Sequence, residues 1–133
     1  MFIIKTYIDK SNIHGNGVFA GENIKKGQVV WKFNKVLDKK ISVKTFNSLE
    51  ENIKYFVEKN GYLDSKNKFY FISGDNDIYS NHSENPNLIE SDNINNNLTK
   101  DLIAVRDINI GEELTQNYLD YIAEENFKFK MGI

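Results

Sequence analysis

The 133-residue chain has no cysteine, one proline, one arginine, two histidines and no long apolar run, and each scarcity removes a class of protein. Without cysteine, neither a disulfide nor a thiolate zinc site can form. The two histidines, His14 and His82, lack i, i+4 spacing and thiolate neighbours, so no metal is expected. No G-x-S-x-G elbow is present to anchor Ser/His/Asp hydrolysis. The opening Met1-Phe2-Ile3-Ile4 is cut short by Lys5, which fits neither a signal peptide nor a membrane span and points to a cytoplasmic or nuclear setting. Seventeen basic against nineteen acidic side chains give a net charge of −2 with no basic block. Direct nucleic-acid binding is therefore not expected, and a basic partner suits the surface better.

What is present suits one domain. The chain is 40% apolar, and at this length roughly 65–70% of the unfolded surface can be buried without help from metal or disulfide. Strands are expected at Phe2–Ile8 and Gln28–Phe33, with Gly15-Asn16-Gly17 as a turn between them. Ser48-Leu49-Glu50-Glu51 reads as a capping box, Leu49, Ile53, Phe56 and Val57 recur at helical spacing, and Gly61 follows, which predicts a helix over 48–59. Further strands are expected at Lys68–Ser73, Leu98–Val105 and Glu113–Tyr118, with 84–97 as loop. An internal echo relates Ala20-x-x-x-Ile24-x-x-Gly27-x-x-Val30 to Ala104-x-x-x-Ile108-x-x-Gly111-x-x-Leu114. Each copy reads as a strand, a turn whose glycine takes a conformation closed to other residues, and a second strand opening on an apolar residue.

Three segments carry residues that a core does not need. They are Ile13-His14-Gly15-Asn16-Gly17-Val18-Phe19-Ala20, Tyr79-Ser80-Asn81-His82-Ser83-Glu84-Asn85-Pro86-Asn87 and Gly111-Glu112-Glu113-Leu114-Thr115-Gln116-Asn117-Tyr118. Singly, each reads as an ordinary turn or a core tyrosine. Together and in this order, over about Lys5 to Tyr121, they resemble the SET-domain family of protein lysine methyltransferases, with its G-x-G-V-x-A, N-H-S-x-x-P-N and G-E-E-L-T-x-x-Y segments.

The resemblance implies a mainly β fold with one or two short helices, a β-clip-like set of small curved sheets with a pseudoknot-like crossing near the C-terminal motif. The whole of 1–133 would be a single such domain, with 122–133 as a short tail. It implies S-adenosylmethionine as cofactor, held by the backbone of His14, Gly15, Asn16 and Gly17 and by Asn81 and His82. An Asn–His pair offers both donors and acceptors, and a glycine turn lets backbone approach a ligand. Tyr118 matches the family's catalytic tyrosine. Phe69 or Tyr70, Tyr79, Gln116, and Phe127 or Phe129 are candidates to wall a substrate-lysine channel. The expected partner is a histone tail or another lysine-bearing protein, and a homodimer remains open.

Two departures from the pattern stand out. Ile78-Tyr79-Ser80 replaces the usual Arg-Phe-x before Asn-His, and Gln116 stands where the family has Phe or Tyr, a position that influences how many methyls are added. A SET-like binding module that has lost turnover would accommodate both. A β-rich module unrelated to methylation would share the turn echo but bind no such cofactor.

Overall fold

The structure, a computed structural model, describes the backbone of residues 1–94 and 100–133, and their side chains except 93 and 94. In chain order its elements are β1 (Thr6–Lys10), β2 (Asn16–Ala20), β3 (Val29–Trp31), β4 (Lys39–Ser42), α1 (Val43–Asn47), α2 (Glu51–Asn60), β5 (Tyr62–Leu63), β6 (Phe69–Ile72), β7 (Asn81–His82), β8 (Leu88–Ile94), β9 (Lys100–Ala104), β10 (Thr115–Gln116) and α3 (Glu124–Met131). Single 3-10 turns occupy Asn76–Tyr79 and Tyr118–Asp120. The strands form β1-β2, β10-β7, β3-β9-β8 and β4-β6-β5, the small sheets expected, with three short helices among the described residues where one or two were expected. Among the described residues no helix is long and apolar enough to cross a membrane.

The internal echo folds onto itself. Ile24 and Ile108 exchange both backbone hydrogen bonds at 2.8 Å. Gly27 N–H donates to Ala104 O, and its counterpart Gly111 N–H donates to Ala20 O, again at 2.8 Å each. Ala20 N–H donates to Glu112 O at 2.9 Å and Ala104 N–H to Gln28 O at 3.0 Å, so the copies pair across an approximate two-fold. Gly27 at φ +81° and Gly111 at φ +92° adopt the left-handed conformation that side chains resist. Ala20, Ile24 and Val30 with Ala104, Ile108 and Leu114 are all at most 2% exposed, and they form the centre of the main core with Trp31, Phe71 and Leu88. A second cluster joins Phe46, Val57, Leu63, Tyr70 and Ala123 beneath the helices.

Several boundaries move for tertiary reasons. The expected first strand serves two partners: Phe2 bridges Trp31, whereas Thr6–Lys10 pairs with Asn16–Ala20. The expected turn at Gly15–Gly17 is therefore shorter, and β2 starts at Asn16. Ser48 does not open a helix. It closes α1, its Oγ donating to Thr45 O at 2.6 Å, while Ser42 Oγ caps the start of α1 by accepting from Thr45 N–H at 3.0 Å. Helix α2 then begins at Glu51 without a side-chain cap, and of its expected apolar stripe only Val57 is fully buried. Gly61 is required by close approach rather than by φ, since a Cβ there would lie 2.1 Å from Phe71 O.

The expected loop 84–97 contains β8. Its run Glu90-Ser91-Asp92 reads as loop by composition, yet β8 is the edge strand of its sheet, where polar residues are tolerated and tertiary pairing overrides propensity. Residues 95–97 of that loop, and Leu98 and Thr99 of the next expected strand, lie outside the described residues. The strand expected at Glu113–Tyr118 is paired only at Thr115–Gln116, and Tyr118 begins a 3-10 turn whose cap is Asn117. The expected tail holds α3, fastened by Asn126, whose Oδ1 accepts from Leu63 N–H at 2.9 Å and whose Nδ2 donates to Glu58 O at 3.1 Å.

Candidate active site

Two-residue strands survive only where something else holds them. β7 and β10 pair in parallel, Thr115 opposite Asn81 and Gln116 opposite His82, and Ser83 N–H adds a bond to Gln116 O at 2.9 Å. Asn87 clamps the same crossing, donating from Nδ2 to Glu113 O at 2.7 Å and accepting at Oδ1 from Thr115 N–H at 2.8 Å. The middle and C-terminal motifs are thus fixed side by side by buried polar bonds, which are costly to break.

The glycine turn joins them through Asn81. Its Nδ2 donates to His14 O at 3.0 Å, Asn16 O at 3.2 Å and Glu113 Oε1 at 2.8 Å. Ser11 Oγ donates to the other carboxylate oxygen of Glu113 at 2.9 Å. Gly17 makes this possible, because a Cβ there would stand 2.1 Å from Glu113 Oε1. Gly15, at φ +49°, has open space where its Cβ would project. His14 contributes its carbonyl, while its side chain is exposed. His82 accepts at Nδ1 from Tyr118 N–H at 3.1 Å, which leaves Nε2 as the protonated nitrogen. The His82 ring meets Phe127 edge-on at 5.5 Å.

Beyond this cradle a cavity of about 240 Å³ opens, walled by Trp31, Tyr62, Phe71 and Tyr121, with Gln116 and Tyr118 at its side. The Tyr118 hydroxyl donates to Ser80 O. Burial, reinforced by the Asp77 and Glu113 carboxylates, pushes the phenol well above its ordinary value, so it keeps its proton near neutral pH. With that proton committed to Ser80, the oxygen lone pairs remain to accept a bond from an incoming amine. Gln116 is buried and donates from Nε2 to Asp77 Oδ1 at 3.1 Å and Ser80 Oγ at 3.0 Å. Asp77 is half-buried and lines the cavity, and burial followed by the like charge of Asp75 pushes its carboxyl up to about 7.

The structure therefore brings His14, Gly15, Asn16, Gly17, Asn81, His82, Gln116 and Tyr118 into one region. Phe69, Tyr70 and Tyr79 do not line the cavity. Phe69 lies under Lys40 Nζ at 5.0 Å, Tyr70 stacks on Phe46 at 3.7 Å in the second core, and Tyr79 is 37% exposed. Phe129 packs against Tyr55 at 5.7 Å, also away from the cavity. Sequence reasoning missed Ser11, Glu113, Asp77 and the aromatic walls. A charged residue in the stretch just before Asn-His was the one available signal for Asp77, and the walls carried none.

The SET-domain family pattern matches residues 15–119. The chain is 30% identical over 133 residues to a Variant-silencing SET domain-containing protein of Plasmodium falciparum, covering 96% of this chain and 5% of that protein's length. In fold it is similar to a Plasmodium falciparum protein provisionally named a histone methyltransferase, at TM-score 0.57 and 25% identity, covering 86% of this chain and 93% of that one. It is also similar to Chaetomium thermophilum Polycomb Repressive Complex 2 in an autoinhibited conformation bound to S-adenosylmethionine, at TM-score 0.67 and 22% identity, covering 97% of this chain and 17% of that one. With three ordered motifs joined at one crossing and a family match over most of its length, the chain belongs to the SET-domain family.

Proposed function

We propose that the chain is an S-adenosylmethionine-dependent protein lysine N-methyltransferase acting on a histone or another basic protein. The observation that carries this reading is the juxtaposition at the β7–β10 crossing, where an Asn81-tied glycine turn lies on one side and Tyr118 closes an aromatic cavity on the other. Methyl transfer to lysine needs a seat for a cationic cofactor, a narrow apolar channel for a lysine stem, and a polar atom to aim the amine. Each has a counterpart here.

The cradle fits the cofactor on chemical grounds. The carbonyls of His14 and Asn16 and the Glu113 carboxylate concentrate acceptors where a positively charged amino-acid end would lie, and Gly15 leaves room for close approach. The backbone of His14 to Gly17 together with Asn81 and His82 would hold it. Bound there, S-adenosylmethionine supplies a methyl group on a positively charged sulfur. On the cavity side Trp31, Tyr62, Phe71 and Tyr121 exclude water from the lysine stem, and Tyr118 Oη accepts from the amine and aims its lone pair. Desolvation among these rings, with a cation nearby, lowers the amine's affinity for its proton. Asp64, Asp77, Glu90 and Asp120 at the cavity lining are opposed by Lys66, Lys100 and Lys130, and the narrow excess of carboxyl groups suits a cationic side chain.

The test is transfer of labelled methyl groups from S-adenosylmethionine to a panel of histones and other basic proteins, beside calorimetry of cofactor binding. Incorporation into lysine is expected. The buried Gln116–Asp77 bond, polar where the family is aromatic, favours a second reading: a SET-like module that binds without turnover. Cofactor binding with no transfer to any protein would select that reading, and absence of cofactor binding by the folded chain would remove both.

A further inference from the structure

Three lysines line the cavity, Lys66, Lys100 and Lys130. The first two act on Glu90, whose carboxylate their charges stabilise. Lys130 is placed differently. Its Nζ lies over the Tyr118 ring at 5.9 Å from the centroid, donates to Lys59 O at 2.7 Å and feels the Asp77 carboxylate. Its helix is not loosely attached. Asn126, one turn earlier on the same face, is buried and bonded to both Leu63 and Glu58, and Phe127 abuts His82 on the cradle side. An amine on a flexible stem is thus held beside the tyrosine that the previous reading makes the aiming group.

We propose that Lys130 is a self-methylation site, its amine reaching the sulfonium methyl donor within the same molecule past Tyr118. This rests on the methyltransferase reading. The Lys59 bond is released as the stem turns. The Nζ lone pair forms the new N–C bond while the C–S bond of the sulfonium breaks, its electron pair stays on sulfur to give the neutral thioether, and the ammonium proton leaves to water. Burial, helped by the like charge of Lys59 and opposed by Asp77, brings the Lys130 ammonium down to about 8. About one amine in five is then neutral at pH 7.4, against roughly one in a thousand for an unperturbed lysine. Lys128, two residues away, is an internal control: it is exposed and paired with Glu124 at 2.7 Å, which raises it instead.

Placement is tested first without cofactor, by NMR titration of the lysine amines in the full chain. Lys130 should lose its proton near pH 8, well before Lys128. Titration of both together would overturn the placement. The chain is then incubated with methyl-labelled S-adenosylmethionine and no other protein, digested and mapped by mass spectrometry. Label on Lys130 should exceed that on Lys128 about tenfold, because one acceptor is held at the site and the other is not. Its fractional rate should not depend on chain concentration, and Lys130→Arg should remove it. An unlabelled Lys130 in a preparation that methylates added histone would overturn the inference alone, as would a rate proportional to chain concentration. Cofactor binding without label on either Lys130 or histone would overturn the methyltransferase reading and this inference with it.

Discussion

On the cradle side, the His14 to Gly17 segment contributes carbonyls and missing side chains, and two polar groups, Asn81 and Glu113, hold them in place. On the cavity side the walls are aromatic residues from several elements. Trp31 comes from β3, Tyr62 from β5, Phe71 from β6, and Tyr118 and Tyr121 from the last turn before α3. A site made of backbone needs particular residues at fixed spacing, because only glycine permits the approach and only a short amide ties the carbonyls. A site walled by rings needs volume, which many combinations of positions can supply. The first half is therefore written in contiguous motifs and the second is dispersed.

The sharpest way to separate the halves is Tyr118→Phe. Loss of the hydroxyl should cost turnover on the order of a hundredfold, roughly 3 kcal/mol of barrier, as for other preorganised groups. Cofactor affinity should stay within about twofold, since the cradle is untouched. Ser80, buried at 6% exposure, loses the partner of its carbonyl, so about 1 kcal/mol of stability should go as well. Single-turnover transfer at saturating cofactor, with urea unfolding alongside, measures both. Wild-type rates would remove Tyr118 from the chemistry, and a stability loss of several kcal/mol would return it to the core.

Asp77 gives the cavity a pH signature. Its carboxyl titrates at about 7 in the fold and near 4 in an unfolded chain. Between these values the folded chain keeps a proton that the unfolded chain has released, so the stabilisation present below pH 4 is lost as pH rises through 7. Asp77→Asn, which can still accept from Gln116, should remove this slope. The stability of the variant relative to wild type should rise by about 2–3 kcal/mol from pH 5 to pH 8. Parallel stability profiles from denaturant unfolding would show that Asp77 is already solvated through the cavity mouth.

Asn81→Ala strikes the other half. It leaves Glu113 Oε1 without its donor and the His14 and Asn16 carbonyls untied, which should weaken cofactor binding by about 1–3 kcal/mol. The rate at saturating cofactor should change little. If calorimetry instead shows unchanged affinity in the folded variant, the cradle assignment fails while the cavity assignment stands.

The same division explains what could be read beforehand. The order of the three motifs and the meeting of the glycine turn, Asn81-His82 and Tyr118 at one crossing were legible because each is carried by a contiguous run of residues. So was the turn echo, whose alanines, isoleucines and glycines pair as counterparts. The Ser48 capping box misled because Ser48 ends α1, which Ser42 caps, and α2 opens only at Glu51 with no side-chain cap. β8 was hidden by its polar edge. Tyr70 could not be told from Phe71, since alternate strand residues face opposite ways and register decides which reaches the cavity, whereas Phe69 shares the Phe71 face but sits at the start of β6 under Lys40, outside the cavity lining. Lys130 carried no signal at all, because nothing in a short charged helix says which of its lysines faces inward.

The smallest expected effects come from the two glycines of the echo, and they test whether fold symmetry and function part company. Gly27 and Gly111 share a left-handed backbone and equivalent hydrogen bonds, and a Cβ would meet nothing within 4 Å at Gly27 and only Tyr7 Oη at 3.8 Å at Gly111. With no clash at either, alanine should cost only the backbone strain, about 1 kcal/mol each. The consequences for the site should differ. Gly111 leads directly into Glu112 and Glu113, and Glu113 both bridges Phe19 and receives the Asn81 amide, whereas Gly27 leads into β3. Gly111→Ala should therefore weaken cofactor binding by a few-fold as Glu113 shifts, while Gly27→Ala leaves it unchanged, at nearly equal melting temperatures. Equal affinities in the two variants would mean that Glu113 is held by Asn81 and Ser11 strongly enough to ignore the turn before it. Unequal stabilities would mean that the two-fold seen in the backbone bonds does not extend to their energetics.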